Sequence, residues 1–190
     1  MYVDLITLKT YLGISVNTDD TLLTTCLTNA QKIIDVRCQR CFEASADSIK
    51  KFDAIRDVDG ATLRLGDDLC QITSVVNGDG SVISSANYVT EPAHSMPFWA
   101  IRIKRSGSPW TYSNDPEDAI QVTGRWAYSI MAPYDIMQAM TRLAAFLYRQ
   151  KDTAIDGDRP ILTGDGNVLM PSRLPNDVAE LLRIYVKGRM

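Results

Sequence analysis

The segment from Ala119 to Asp152 shows two hydrophobic periods in succession. Apolar and polar residues alternate from Ile120 onward, which predicts a strand over Ile120–Tyr128. Beyond Ala132, apolar residues recur at helical spacing and predict a helix over Pro133–Lys151, with Pro133 at its first position. These residues are Ile136, Met140, Leu143, Ala144 and Leu147. The segment is therefore predicted to join a β layer to a helical layer.

Two helices are predicted before the β region. Thr7 is expected to cap a short helix, Leu8–Leu12, which Gly13 can end in the left-handed conformation. The polar run Asn17–Asp20 is a helix-start signal, and a second helix is predicted from about Asp20 to about Cys41. Its apolar stripe consists of Leu22, Leu23, Cys26, Leu27, Ala30, Ile33, Ile34 and Cys41.

Short alternating runs follow between Ser48 and Tyr128, separated by turns rich in Gly, Asp and Asn. The predicted strands are Ile49–Ile55, Thr62–Leu65, Ile72–Val76, Tyr88–Thr90, Trp99–Ile103 and Ile120–Tyr128. Turn residues occur at Asp57–Gly60, Asn77–Gly80 and Lys104–Gly107. This density of turns predicts a small antiparallel sheet or a partial sandwich, not βαβ units.

The C-terminal part is predicted to contain a hairpin-like excursion and one more helix. A tight turn at Thr163–Asn167 is expected between two short extended pieces, Pro160–Leu162 and Val168–Met170. The last helix is expected to start after Leu174. Its capping candidates are Asn176 and Asp177, and its apolar side consists of Val178, Leu181, Leu182 and Tyr185.

These elements predict an α+β fold: a small bundle of about four helices with an inserted antiparallel β region. The predicted domains are the N-terminal helices of the bundle over residues 1–47, the β region over 48–128, and the C-terminal helices over 129–190. The hairpin-like excursion lies near residues 160–170.

Composition excludes some classes of function. The chain has 190 residues, of which 45% are hydrophobic and 23% charged, a composition typical of a globular protein. A net charge of −3 argues against a dedicated nucleic-acid-binding protein, because such proteins are usually basic. No apolar run is long enough to span a bilayer, and the N-terminus lacks a signal-peptide pattern, so we expect no membrane partner. The four cysteines are then expected to be reduced thiols.

No catalytic, cofactor or metal site is predicted. His94, the single histidine, lies in a Pro-containing loop with no nucleophile suggested nearby. The pair Cys38 and Cys41 lacks the second ligand pair of a zinc site and the βαβ context of a redox motif. The Asp-rich turns do not complete a calcium loop. We therefore expect a protein that is not an enzyme.

One basic-aromatic neighbourhood has two explanations. Arg102, Lys104 and Arg105 lie near Trp99 and Trp110 in the sequence, as in surfaces that bind single-stranded nucleic acid. The same residues suit a hairpin with charged edge residues that prevent unwanted strand pairing. The acidic chain favours the hairpin, and we keep these five side chains as candidate loop contacts. With Trp126, the two tryptophans also suggest an alternative function, a carbohydrate-binding β module.

The order of elements resembles the head–tail connector (adaptor) proteins of long-tailed bacteriophages and gene transfer agents. The segments that carry the resemblance are Leu8–Ile14 with Asp19–Leu23 and Ala30, Leu63–Leu65 with Ile72–Val75 and Asn87-Tyr88, Val122–Gly124 with Pro133–Ala139 and Tyr148–Lys151, and Leu174–Val178 with Leu181-Leu182 and Tyr185. They extend over nearly the whole chain. Two departures are Ala127, where a second glycine is common, and a tail that ends without a compact Tyr-Arg-Arg.

The resemblance implies a structural virion protein. Such an adaptor forms a ring, commonly a dodecamer, between the portal and the stopper or tail, and extends the channel through which genomic DNA passes without specific binding. It is assembled in the host cytoplasm and located in the virion neck. Arg183, Lys187, Arg189 and Met190 are candidates for docking to a partner. The alternatives are a stopper or tail-terminus protein of the same neck, or a virion-associated carbohydrate-binding β module.

Overall fold

The computed structural model describes residues 1–150, 161–162, 168–169 and 174–188. The α+β fold is confirmed, with four helices and antiparallel sheets among these residues. The chain divides into two compact units. The helical unit comprises Met1–Gln39 and Pro133–Met190, and the β unit comprises Arg40–Ala132.

Helix α1 spans Leu5–Leu12 and begins earlier than predicted. Its N-cap is Asp4, whose carboxylate accepts a hydrogen bond of 2.7 Å from the backbone N–H of Thr7. The prediction that Thr7 caps the helix is therefore wrong, since an aspartate is available at a position where its charge also favours the helix N-terminus. Gly13 ends the helix in the left-handed conformation, as predicted, with φ of 71°.

Helix α2 spans Asp20–Cys38 and ends three residues before the predicted Cys41, because Gln39 adopts the left-handed conformation. Its buried side contains Leu23, Cys26, Leu27, Ala30, Ile34 and Cys38. Leu22, Ile33 and Cys41 were expected on this stripe but are exposed. The first two lie about 100° around the helix from their buried neighbours Leu23 and Ile34, and Cys41 lies beyond the helix end.

Helices α3, Tyr134–Arg149, and α4, Asn176–Arg183, complete the helical unit. Pro133 and Pro175 are the N-caps, each with extended backbone, so Pro133 precedes the first helical position and neither Asn176 nor Asp177 is a capping residue. The predicted residues of α3 are buried at Ile136, Met140, Leu143 and Ala144, whereas Leu147 is only partly buried. Val178 and Leu182 of α4 are buried. None of the described helices is long and apolar enough to cross a membrane.

The strands of the β unit are β1 Ser48–Phe52, β2 Val58–Asp59, β3 Thr62–Leu69, β4 Gln71–Val76, β5 Tyr88–Glu91, β6 Phe98–Ile103 and β7 Ile120–Arg125. They form two antiparallel sheets, one of order β1-β7-β4 and one of order β2-β3-β6-β5. Strand β2 lies where a turn was predicted. Strand β7 ends at Arg125, before the predicted Tyr128.

Residues of both sheets share one hydrophobic core. The cluster contains Phe52, Leu63, Leu65, Leu69, Val75, Ile83, Ile101, Ile103, Ile120, Val122 and Trp126. Its members on β7, Ile120 and Val122, alternate with partly buried Gln121 and Thr123, as the sequence pattern predicted. The predicted antiparallel β region is thus present, with a core of its own.

A short antiparallel pair lies between α3 and α4 in the chain. Strands β8 and β9 are Ile161–Leu162 and Val168–Leu169, with Ile161 opposite Leu169. These strands lie within the two extended pieces that the sequence predicted. The predicted turn at Thr163–Asn167 lies outside the described residues.

Candidate interaction surfaces

The basic-aromatic neighbourhood lies on and after strand β6. This strand pairs with both β3 and β5, so the prediction that its charges mark the edge of a sheet is wrong. Arg102 pairs with Glu91 of the neighbouring strand, with 2.9 Å between Nε and Oε1. Lys104 donates from Nζ to the Ala86 carbonyl at 2.7 Å. These two positive charges therefore have partners within the β unit, and all three basic side chains are exposed.

The three tryptophans differ in exposure and do not make one binding surface. Trp126 is 8% exposed, and its indole N–H donates to the Ser48 carbonyl at 3.0 Å. The Trp110 indole N–H donates to the Ala61 carbonyl at 2.9 Å, which ties its loop to the sheet. Trp99 is 41% exposed. Two of the three indole N–H groups expected in a carbohydrate site thus bond to backbone carbonyls, and the Trp126 ring is buried.

The candidate docking residues of the C-terminal segment are in part described. Arg183 is exposed at the end of α4 and pairs with Glu180 at 3.5 Å. The backbone N–H of Lys187 donates to the Cys38 carbonyl at 3.0 Å, which holds the chain against the end of α2. Arg189 and Met190 lie outside the described residues. The described part of the segment is thus tied to α2 at Lys187.

His94, Cys38 and Cys41 were the residues considered as reactive groups in the sequence. His94 is exposed in a loop of the β unit. Cys38 is buried and Cys41 is exposed, and the Cys41 thiol donates to the Glu43 carbonyl at 3.2 Å. Within the described residues no group of three or more His, Cys, Asp or Glu side chains could hold a metal ion.

The Asp-rich turns use their carboxylates to satisfy backbone donors. Asp53 accepts hydrogen bonds from the N–H groups of Arg56 and Ile55, which lower the pKa of its carboxyl group. Asp79 accepts from the hydroxyl and the N–H of Ser81, which lower its pKa in the same way. The Asp79 bonds stabilise the turn predicted at Asn77–Gly80, whereas the Asp53 bonds stabilise a turn that precedes the predicted turn Asp57–Gly60, where strand β2 lies instead.

Sequence reasoning missed a groove between α3 and α4. The groove has a volume of about 400 Å³ and is lined by Asp135, Gln138, Arg142, Asp177, Glu180, Leu181 and Ile184. Arg142 pairs with Asp177, and the Tyr185 hydroxyl donates to Asp135 at 3.2 Å. Ile184 is 77% exposed. This acidic groove, as we call it, thus combines three carboxylates and one guanidinium with an exposed aliphatic side chain.

A second surface of the helical unit lies along the C-terminal half of α2. Lys32, Ile33, Val36 and Arg37 line a depression of about 640 Å³ together with Leu174. Ile33 and Val36 are one turn apart and are 38% and 65% exposed. We call this surface the basic patch. The i, i+3 spacing of Ile33 and Val36 could have indicated this surface in the sequence. It was missed because Ile33 was assigned to the buried stripe of α2.

Comparison with known proteins gives matches among solved structures. No protein-family model matches the sequence, and no curated protein does. A chain in the neck of an empty gene transfer agent particle, computed with C6 symmetry, has a TM-score of 0.64 and 16% identity, and the match covers all of this chain and 91% of that one.

Two further structures agree with the first. A chain in the virion of a native gene transfer agent particle matches with a TM-score of 0.62 and 16% identity. A chain in the neck of a native particle, computed with C12 symmetry, matches with a TM-score of 0.58 and 14% identity. Each match covers all of this chain and 91% of the other. At these identities the likeness establishes a shared fold.

Proposed function

We propose that the protein is a structural, non-enzymatic component of a virion neck, and more specifically a head–tail adaptor. The observation that carries the proposal is the fold shared over the full chain with a chain of a gene transfer agent neck. The match covers 100% of this chain, so both the helical unit and the β unit are included in the comparison. A likeness confined to a common helical bundle would carry far less weight.

In this function the chain forms a ring, a dodecamer, between the portal and the stopper or tail. The matched necks were computed with C6 and C12 symmetry, which supports cyclic assembly. A closed ring uses head-to-tail contacts, in which two different surfaces of each copy meet. The net charge of −3 suits a channel through which DNA passes without binding, because a basic lining would hold its phosphates.

The partners of the ring are then the portal on one side and the stopper or tail on the other. We assign portal or tail docking to the C-terminal residues Arg183, Lys187, Arg189 and Met190. Trp99, Arg102, Lys104, Arg105 and Trp110 are the proposed loop contacts. In this proposal the protein is assembled in the host cytoplasm and is located at the head–tail interface of the virion.

The proposal is tested by electron cryo-microscopy of necks purified from the phage or gene transfer agent whose genes encode the chain. The expected result is a ring of this chain in direct contact with the portal. A ring of this chain one layer further from the portal would assign it as a stopper or tail-terminus protein instead. Necks that lack the chain would overturn the structural function altogether.

A portal pull-down separates the adaptor from the other neck proteins. The adaptor should be retained by immobilised portal without any other neck protein present. Retention only after a different neck component has been added would support the stopper alternative and contradict the adaptor assignment.

A further inference from the structure

We propose that neighbouring copies of the chain meet through the helical unit, with the basic patch of one copy seated on the acidic groove of the next. This inference rests on the proposed function in one respect, since it identifies the subunit contact of the proposed ring. It is argued from the charges, exposure and placement of the two surfaces.

Charge complementarity is the first argument. Lys32 and Arg37 flank the basic patch, and neither forms a salt bridge among the described residues. In the acidic groove Arg142 pairs with Asp177 and Arg183 pairs with Glu180, so Asp135 is the carboxylate without a salt bridge among the described residues. Surfaces of opposite charge steer encounter and fix register when they meet. Lys32 also acts on the nearby Asp35 carboxyl, so the basic patch keeps an excess of one positive charge, and the acidic groove keeps an excess of one negative charge at Asp135.

Exposed apolar surface is the second argument. Ile33 and Val36 lie between the two cations of the basic patch. Ile184 and Leu181 lie beside the carboxylates of the acidic groove, and Ile184 is 77% exposed. An apolar centre inside a charged rim is the usual anatomy of a protein–protein interface. The basic patch and the acidic groove each combine exposed aliphatic side chains with charged ones.

The placement of the two surfaces is the third argument. The basic patch is formed by α2 and Leu174, and the acidic groove by α3 and α4, so the two sets share no residue. A contact between them is therefore heterologous and leaves one unoccupied surface at each end of a dimer. Repetition of the same contact produces a ring or a filament, and an isologous dimer would leave both surfaces without a complement.

Directed disulfide formation tests the contact. In a Cys41→Ser background, which removes the exposed thiol, V36C and I184C are prepared separately, one of them with an added mass tag. The two are mixed and mildly oxidised. The expected product is a mixed dimer, and the double variant V36C/I184C should form a ladder of higher oligomers.

The matched control replaces V36C with I6C, since Ile6 is 74% exposed on α1 and belongs to neither surface. The V36C and I184C mixture should give several-fold more mixed dimer than the I6C and I184C mixture. Equal yields would overturn the proposal, because they would mean random collision. Predominant V36C–V36C dimers would overturn it as well, because the contact would then be isologous.

A charge exchange tests the register. Lys32 is exposed and the Glu180 side chain is 75% exposed, so both can be reversed without disturbing the core. K32E in the V36C chain, or E180K in the I184C chain, should each lower the yield of mixed dimer several-fold. Combining the two reversals should restore it, a coupling that independent sites do not show. Absence of recovery would contradict the proposed pairing.

The outcomes distinguish this proposal from the proposed function. A ladder from a chain that is missing from purified necks would support the contact and remove the neck assignment. A neck ring that contains the chain, together with no crosslink above the control, would support the neck assignment and remove the contact.

Discussion

Leu143 of α3 is fully buried in the helical unit. Leu143→Ala removes most of a side chain from a packed site and leaves a cavity, so we expect it to lower the free energy of unfolding by about 2–5 kcal/mol. Urea unfolding followed by far-UV circular dichroism measures the change. An unchanged m-value would show that the substitution changes the stability and not the surface exposed on unfolding.

Leu22 provides the matched control, because it is the same residue type on α2 but is 40% exposed. Leu22→Ala should lower the free energy of unfolding by less than half as much. Equal losses at the two positions would contradict the assignment of Leu143 to the core and of Leu22 to the surface.

Asp35 gives a prediction about pH. Burial raises the pKa of its carboxyl group above the ordinary 3.8, against the opposing hydrogen bond that the Tyr2 hydroxyl donates at 2.7 Å. The folded state therefore holds the proton more tightly than the unfolded state. The resulting stability is fully present below pH 3.8 and is lost as the pH rises through the raised value. Asp35→Asn, which does not titrate, should gain stability relative to the original chain across that window.

Asp53 is the control of opposite sign, since hydrogen bonds from two backbone N–H groups lower its pKa. Its ionised form contributes stability above pH 3.8 that is lost as the pH falls through the lowered value. Denaturation midpoints of Asp53→Asn, compared with the original chain over a pH series, should therefore diverge in the opposite direction. The same slope for both variants would mean that neither carboxyl titrates as described.

At the scale of elements, strand β7 requires Gly124. The strand lies between β1 and β4, and a Cβ atom added at Gly124 would overlap the Gln71 carbonyl oxygen of the β4 backbone. Since a backbone carbonyl cannot rotate away as a flexible side chain can, we expect Gly124→Ala to lower the free energy of unfolding by about 1–3 kcal/mol or more. Chemical denaturation measures the loss.

Gly188→Ala is the control for that substitution, because an added Cβ there meets nothing within 4 Å and the backbone is not left-handed. It should leave stability unchanged within error. If Gly124→Ala were equally silent, β4 and β7 would not approach as closely as described.

The types of the long elements could be predicted because each has a period that only one structure satisfies. The helical stripe of α3 and the alternation of β7 are visible in the sequence and present in the fold. Helix ends were less predictable. Thr7 and Asn176 were predicted as N-caps, but the N-caps are Asp4 and Pro175. Pro133 was predicted at the first helical position, but its extended backbone makes it the N-cap. Neighbouring caps compete within about 1 kcal/mol, so small tertiary effects select among them.

At the scale of the whole molecule, the C-terminal tail is predicted to act in assembly and not in folding. Deletion of Gly188–Met190 leaves the Lys187 N–H bond to the Cys38 carbonyl intact. The truncated chain should keep its thermal midpoint and lose affinity for immobilised portal. Unchanged portal binding would remove the docking role of Arg189 and Met190.

A longer deletion that starts at Lys187 gives the comparison. It also removes the hydrogen bond that the Lys187 N–H donates to the Cys38 carbonyl at 3.0 Å, so it should lower the thermal midpoint. Circular dichroism separates the two truncations, because only the longer one should affect folding. A loss of stability in the shorter deletion would show that residues beyond Lys187 contribute to the monomer.

The candidate surfaces were less predictable than the fold, since exposure depends on contacts between distant residues. Lys104 and Trp110 were grouped by nearness in sequence, but their polar atoms bond to Ala86 and Ala61. Ile33 was assigned to the core, although it lies on the exposed basic patch. The acidic groove joins Asp135 to Glu180, which are far apart in the chain.

By itself, the sequence determined the α+β class, the order of the helices and of the strands other than β2, and the residues of most core stripes. Hydrophobic period is a local property, and burial of one face follows from it. Only the tertiary structure decided which strands pair, where Gly124 must have no side chain, and which charged and apolar residues meet on one surface. Those outcomes depend on the approach of segments distant in the chain, which no local pattern records.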